Sequence, residues 1–216
     1  MSLGAFQKAE EVNLEYCRAE DIPLVRRPTG GRAILHGREI TYSFSAPNRP
    51  PFDGDLLMTY KLLGEAFLNG FCRAGLPVKW KGRREKGHVL SGSSLCFQSV
   101  SYGEITLCGR KVMGSAQKRW KEGFLQQGSI QLTLNYDGMI RAFTDVTREG
   151  IEKAMVGVLE IAPGIEEERL IAEIIRSFAE RFGVTMEEGE LSVYERSIAE
   201  RLVAVKYGAD AWTFRR

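Results

Sequence analysis

The sequence predicts an α+β fold: a largely antiparallel sheet flanked by helices, with a small helical appendage at the C-terminal end. Three observations lead there. Residues 39–46 alternate apolar and polar side chains, the period of a half-buried strand. Tyr60, Leu63, Phe67 and Phe71 recur at helical spacing just before Gly75 and Pro77. From about Thr147 onward the pattern turns helical, with Leu170, Ile174, Phe178 and Phe182 on one stripe and Tyr194, Ile198, Leu202 and Val205 on another.

The bulk numbers bound the answer. A chain of 216 residues has room for one large domain, and at that size folding buries roughly 70% of the unfolded surface without a disulfide or metal staple. The 30 basic and 28 acidic residues nearly balance, which argues against nucleic acid as the main partner. Cys17, Cys72, Cys96 and Cys108 show no C-x-x-C or Cys/His spacing, so no metal site is expected. With neither a signal peptide nor an apolar run of roughly eighteen residues, no membrane is expected and the compartment reads as the cytoplasm.

In chain order, 25-VRRPTGGRAILHGREITYSFSA-46 sets two arginines, a proline and two glycines before the strand. Gly30 and Gly31 permit a turn that other residues resist, and guanidiniums there suit a carboxylate or phosphate. The bland alternative is a basic turn entering a strand. The stretch lacks the glycine spacing of either common nucleotide loop. A Pro-rich loop, 47-PNRPPFDGD-55, ends the strand. After the helix, 81-KGRREKGHVLSGSS-94 reads as a solvated basic loop, and 104–120 and 124–134 read as strands joined by glycine turns. The chain is expected to divide into a mixed helix-and-strand part over 1–146 and a mainly helical segment over 147–216, in which GVTMEEGEL reads as a short strand-like turn between helices.

Cys96 lies where a polar loop meets the sheet, so a substrate can reach its thiol, whereas Cys72 on the helix reads as packing. A thiol nucleophile needs cationic or dipolar help, because an unperturbed cysteine ionises near pH ~8.5. Lys111 reads either as a solvated edge charge or as a donor to an acyl carbonyl, with the small residues of 114-GSAQ-117 beside it allowing close approach of a ligand. His36 follows the glycine turn and reads as structural as readily as functional; His88 carries little signal.

Three motifs in order, 26-RRPTGGRAILH-36, 109-GRKVMGSAQKR-119 and 125-LQQGSI-130, resemble the lipoate–protein ligase and octanoyltransferase family, which shares its fold with biotin ligases. The closing 206-KYGADAW-212 is similar to the family's KY-x-x-x-x-W element. Within the family, 95-LCFQSVSYGEI-105 resembles the cysteine element of the LipM-type octanoyltransferases, in place of the Arg-Asn-Asp element of ATP-dependent lipoate ligases. The resemblance implies Cys96 as acyl-carrying nucleophile and Lys111 as its catalytic partner at the acyl carbonyl. It implies an acyl and substrate pocket framed by Arg27, Thr29, Gly30, Gly31, His36, Gly114, Ser115, Gln117, Gly128 and Ser129. Octanoyl-acyl carrier protein would be donor, an apo lipoyl domain or the glycine-cleavage H protein acceptor, and no metal or other cofactor would be needed. An ATP-dependent lipoate ligase, an amidotransferase and a non-catalytic or split subunit binding lipoyl proteins are the competing readings.

Two departures from the family pattern stand out. Gln127-Gly128-Ser129 replaces the usual His-Gly-Ser. The recognisable pattern also begins almost at Met1, so a sheet edge near 1-MSLGAFQ-7 is expected to be bare unless self-association or a second chain supplies the missing N-terminal strand.

Overall fold

The structure, a computed structural model, describes residues 1–80 and 104–216. The expected basic loop, His88 and Cys96 lie outside the described residues.

The chain opens with β1 (Ser2–Leu3), α1 (Leu14–Ala19) and β2 (Val25–Arg26), then runs along β3 (Glu39–Pro47) into α2 (Leu56–Arg73) and β4 (Val78–Trp80). It continues through β5 (Ile105–Leu107), β6 (Arg110–Lys111), β7 (Met113–Arg119) and β8 (Gly123–Gln131). The rest is helical: α3 (Tyr136–Ala142), α4 (Arg148–Ala154), α5 (Val158–Ile161), α6 (Glu167–Phe182), α7 (Val193–Leu202) and α8 (Asp210–Thr213). This mixture of helices and antiparallel sheet is the fold class expected.

The main sheet has the order β3-β8-β7, antiparallel throughout, and a second antiparallel sheet has the order β4-β5-β6. The segment 104–120, expected as strand with glycine-containing turns, is divided between the two. Cys108 and Gly109 both take positive φ (51° and 78°), which makes a two-residue hairpin turn between β5 and β6. Val112 then forms the corner: its N–H donates to Ile105 in one sheet and its carbonyl accepts from Gln131 in the other.

Helices α2 and α6 cover one face of the main sheet. Asp55 caps α2 by accepting the Met58 N–H at 2.8 Å, and Gly75 at φ 90° follows its end. Leu63, Phe67 and Phe71 of α2 are buried together with Leu170, Ile174 and Phe178 of α6. The helices approach closely at Gly70, where a Cβ would lie 2.7 Å from Cα of Ile174. Tyr42 and Phe44 of β3 complete this core, with Tyr42 4.4 Å from the Phe67 ring and Phe44 5.8 Å from Phe178.

A second core joins Leu3, Cys17, Ile34, Leu35, Phe143, Ile151 and Met155. The cysteine reading is corrected here: Cys17 is the packed thiol and Cys72 is exposed, because Cys72 falls on the solvent side of α2. The expected bare edge at the first residues is also corrected. Ser2 and Leu3 pair in parallel with Val25 and Arg26, and Ser2 bridges Ile34 on its other side.

The C-terminal stripes separate into one that packs and one that does not. The α6 stripe is buried as expected. The stretch 184–191, expected as a strand-like turn, is exposed and irregular. Helix α7 forms where expected, capped by Ser192, but Tyr194 is 73% exposed. A π-helical turn over Val203–Tyr207 follows it, and the wider turn carries Val205 off the stripe. No helix among the described residues is long and apolar enough to cross a membrane.

Candidate active site

The register of the main sheet decides which residues can share a site. Thr41 pairs with Ser129, which pairs with Gly114; Ser43 pairs with Gln127, which pairs with Ala116. Directly paired residues share a face, so these form the face turned away from α2 and α6. The alternate set, Tyr42, Gly128 and Ser115, points toward the helices.

The outer face floors a cavity of about 690 Å³, within the range of roughly 300–1,000 Å³ typical of small-molecule sites. Val25, Ile34 and Leu125 contribute apolar wall, and Ala199, Leu202 and Tyr207 cover it from the C-terminal side. One end is polar, with Ser2, Arg27 and His36.

Of the residues expected at the pocket, Arg27, His36, Gly114, Ser115, Gly128 and Ser129 line this cavity. Thr29, Gly30, Gly31, Gln117 and Lys111 are not among its lining residues. Cys96 lies outside the described residues. The cavity also takes in Ser2, Tyr42 and Tyr207, which sequence reasoning had not singled out as site residues. Tyr42 carried a signal only as a core position on its strand; the roles of Ser2 and Tyr207 depend on distant segments meeting.

The glycine turn is held from beneath. Arg27 donates from Nη1 to the Ser2 carbonyl at 3.0 Å and from Nη2 to the carbonyls of Gly30 at 2.9 Å and Arg32 at 2.6 Å. The fork geometry of a guanidinium suits several fixed carbonyls at once. Gly31 takes φ 84°, and a Cβ on neighbouring Gly4 would lie 1.7 Å from the Gly31 oxygen. The two glycine segments therefore touch backbone to backbone. Thr29, fully buried, donates to Gln127 Oε1 at 3.3 Å, so the glutamine that replaces the family's histidine ties the turn to β8.

Arg26 is also fully buried and donates to the carbonyls of Thr213, Gly4 and Gln7. Trp212 returns a bond from Nε1 to the Arg26 carbonyl at 2.8 Å. The closing KY-x-x-x-x-W element is thus fastened to the arginine–glycine motif, and its Tyr207 reaches the cavity.

Beneath the floor, Tyr42 reaches across Gly128 to Ser115. The hydroxyl lies 2.6 Å from Ser115 Oγ and accepts from Gln126 Nε2 at 3.1 Å. A Cβ at Gly128 would lie 2.3 Å from Cε1 of Tyr42, so only glycine leaves the ring its path. Burial pushes the Tyr42 phenol up to about 12, against the opposing pull of its bonds to Ser115 and Gln126. Gln117 donates to Gln126 at 3.2 Å, while its own Oε1 is buried with no partner among the described residues.

Lys111 is neither a solvated edge charge nor a member of the cavity wall. It is almost fully buried on β6, and its ammonium lies 2.5 Å from Oε1 of Glu104. Glu104 follows directly on the undescribed stretch that contains Cys96.

A sheet-floored, largely apolar cavity with a polar end beside an arginine–glycine turn belongs to the class of sites that suits a small apolar ligand with a polar head. The chain belongs to the lipoyl protein ligase A/B catalytic domain family, which it matches over residues 1–183. It is 35% identical over 229 residues to "Octanoyltransferase LipM" of Kyrpidia tusciae, covering all of this chain and 83% of the relative. It is likewise 35% identical over 226 residues to "Octanoyltransferase LipM" of Carboxydothermus hydrogenoformans, covering all of this chain and 82% of the relative. The fold is similar to a crystal structure of lipoate-protein ligase A bound with ATP, with a TM-score of 0.83 at 24% identity over 99% of this chain and 81% of that one.

Proposed function

We propose that this protein is a cytoplasmic octanoyltransferase of lipoate assembly. It takes an octanoyl group from acyl carrier protein onto Cys96 and delivers it to a lysine of an apo lipoyl protein, such as a lipoyl domain or the glycine-cleavage H protein. The observation that carries the reading is similarity over the whole of this chain to octanoyltransferases, joined to a cavity lined by residues of the three motifs. Each methylene buried in such a cavity contributes about 0.8 kcal/mol, so an eight-carbon chain is held without any charged contact.

In the first step the Cys96 thiolate attacks the donor thioester, and the carrier's thiol leaves. In the second the lysine amine attacks the octanoyl-enzyme, and the Cys96 sulfur leaves. Exchange of a thioester for an amide is downhill, so no nucleotide is required. Lys111 supplies positive charge at the reacting carbonyl, with Glu104 holding it in place. Arg27, Thr29, Gly30 and Gly31 shape the end of the pocket; Gly114, Ser115, Gln117, Gly128 and Ser129 form its floor and the layer supporting it.

Intact-mass spectrometry after mixing with octanoyl-acyl carrier protein, without ATP, tests this directly. One octanoyl adduct is expected, labile to hydroxylamine, absent in Cys96→Ala and retained in Cys17→Ala and Cys72→Ala. An adduct surviving in Cys96→Ala overturns the nucleophile. Transfer that requires free octanoate and ATP establishes the ligase reading instead.

A further inference from the structure

The closing KY-x-x-x-x-W element holds one residue that the apolar cavity does not use, Lys206, and it stands in a second hollow. A cleft of about 450 Å³ is walled by Lys118 of β7, by Trp120 just beyond it, and by Lys206, Trp212, Arg215 and Arg216. No carboxylate is among its lining residues, and among the described residues none pairs with Lys118, Lys206, Arg215 or Arg216. Arg216 also touches a neighbouring hollow that contains Glu10, but that carboxylate is paired with Lys8.

The sheet register joins this cleft to the cavity. Alternation puts Lys118 on the same face of β7 as Gly114 and Ala116, the face that floors the apolar cavity. Its direct partner on β8 is Leu125, which lines that cavity. Pro28 and Tyr207 line both hollows. The cavity's polar end lies by the Ser129–Gly114 pair, where Ser129 bonds Glu39 beside His36; Lys118 marks the opposite end of the strand.

Aromatic rings hold the cations in place of counter-charges. Trp212 is fixed by its bond to the Arg26 carbonyl, and one ring carries two cations: Lys206 Nζ lies 4.3 Å and Arg215 Cζ 3.7 Å from its centroid. Lys118 Nζ lies 5.9 Å from the Trp120 ring, and Arg216 Cζ 5.7 Å from the Phe6 ring. A ring face attracts a cation without neutralising it. The fully buried Arg26 adds positive charge beside them; burial lowers its pKa, and Arg215 and Arg216 add to that effect. Like charges gathered this way repel one another, and an anion entering the cleft removes the repulsion.

We infer that this cleft takes the phosphodiester of the acyl donor, the group through which a carrier protein holds its pantetheine thioester. The inference rests on the acyl-transfer reading above. The phosphate oxygens accept from Lys118, Lys206 and Arg216, the charge-assisted pairing that phosphates favour. The arm beyond the phosphate passes Pro28 and Tyr207 toward the apolar cavity. An acceptor lysine carries no phosphate, so the cleft serves the first half of the reaction and not the second.

Octanoyl-pantetheine and octanoyl-phosphopantetheine differ only in the phosphate, and they isolate its contribution. Loading of the whole chain from each is followed by intact mass, beside loading from octanoyl-acyl carrier protein and octanoyl-coenzyme A. The wild type should favour the phosphorylated arm by about 10-fold in kcat/KM. That preference should shrink as salt is raised. In Lys118→Gln/Arg216→Gln it should fall toward unity, while Lys118→Arg should retain it. Whether the carrier protein or coenzyme A loads faster says which source presents the arm, the phosphate preference standing in either case. A wild type without the preference, or a double variant that keeps it, overturns the inference alone. Slower release of octanoyl groups to an apo lipoyl domain, with the donor preference intact, assigns the cleft to the acceptor and also overturns it. A wild-type chain that loads from none of the four donors overturns the acyl-transfer reading and this inference with it.

Discussion

The Lys111 ammonium and the Glu104 carboxylate lie 2.5 Å apart, with side-chain exposures of only 2% and 7%. Charges taken this far from water depend on their partners, and removing one takes a close counter-charge from the other. Lys111→Ala should therefore cost about 3–5 kcal/mol of stability besides any loss of rate. The double variant Lys111→Met/Glu104→Leu should recover most of that stability, because apolar side chains need no partner, while acyl transfer stays lost. Denaturant melts beside single-turnover assays read both quantities. Recovery of activity in the double variant would remove Lys111 from the chemistry.

Gly128 is the second lever. A methyl there meets the Tyr42 ring and the Gly114 carbonyl, at 2.3 and 2.5 Å. Gly128→Ala should destabilise by about 1–3 kcal/mol and break the Tyr42–Ser115 bond. Pairing it with Tyr42→Ala should relieve part of that cost. If Gly128→Ala alone melts like the wild type, the crossing of Tyr42 over the strand is not the constraint described.

Trp212 tests the fastening of the C-terminal element. Trp212→Phe keeps a ring but leaves the Arg26 carbonyl without its 2.8 Å donor, a change of about 1 kcal/mol. Trp212→Ala also removes the ring beneath the Arg215 guanidinium, which lies 3.7 Å from its centroid, and should cost about 3 kcal/mol or more. Octanoyl loading should weaken with the second change because Tyr207, part of the same element, lines the cavity. Unaltered loading in Trp212→Ala would separate the closing element from the pocket.

The acid dependence follows from Glu39. Burial acts to raise its folded-state pKa, but bonds from His36, Ser129 and Gln131 hold it below the unfolded value, so its stabilisation is complete above the ordinary carboxylate range. It is lost as pH falls through the lowered value. Melting temperature should drop more steeply in acid for the wild type than for Glu39→Gln, which has no proton to gain. Parallel acid limbs would show that Glu39 carries none of the linkage.

What the sequence determined by itself is what periodicity and turn chemistry encode. The alternation from Ile40 to Ala46 appears as β3, the helical spacing from Leu63 to Phe71 as the buried face of α2, and the Leu170–Phe178 stripe as α6. Motif order was enough to identify the family, because Arg26–His36, Gly109–Arg119 and Leu125–Ile130 are local strings. Only the tertiary structure decided what those strings touch. Lys111 reads as an edge charge until the Cys108–Gly109 turn folds β6 against β5 and buries it beside Glu104. His36 reads as a lone histidine until the antiparallel bridge between Ser2 and Ile34 brings Ser2 to its ring. Helix α7 shows the converse, a stripe that periodicity marked for burial and that packing left largely outside, with only its Ala199 and Leu202 end over the cavity. Local patterns set which faces are apolar; which face meets which partner depends on contacts between residues far apart in the chain, and no local spacing carries that information.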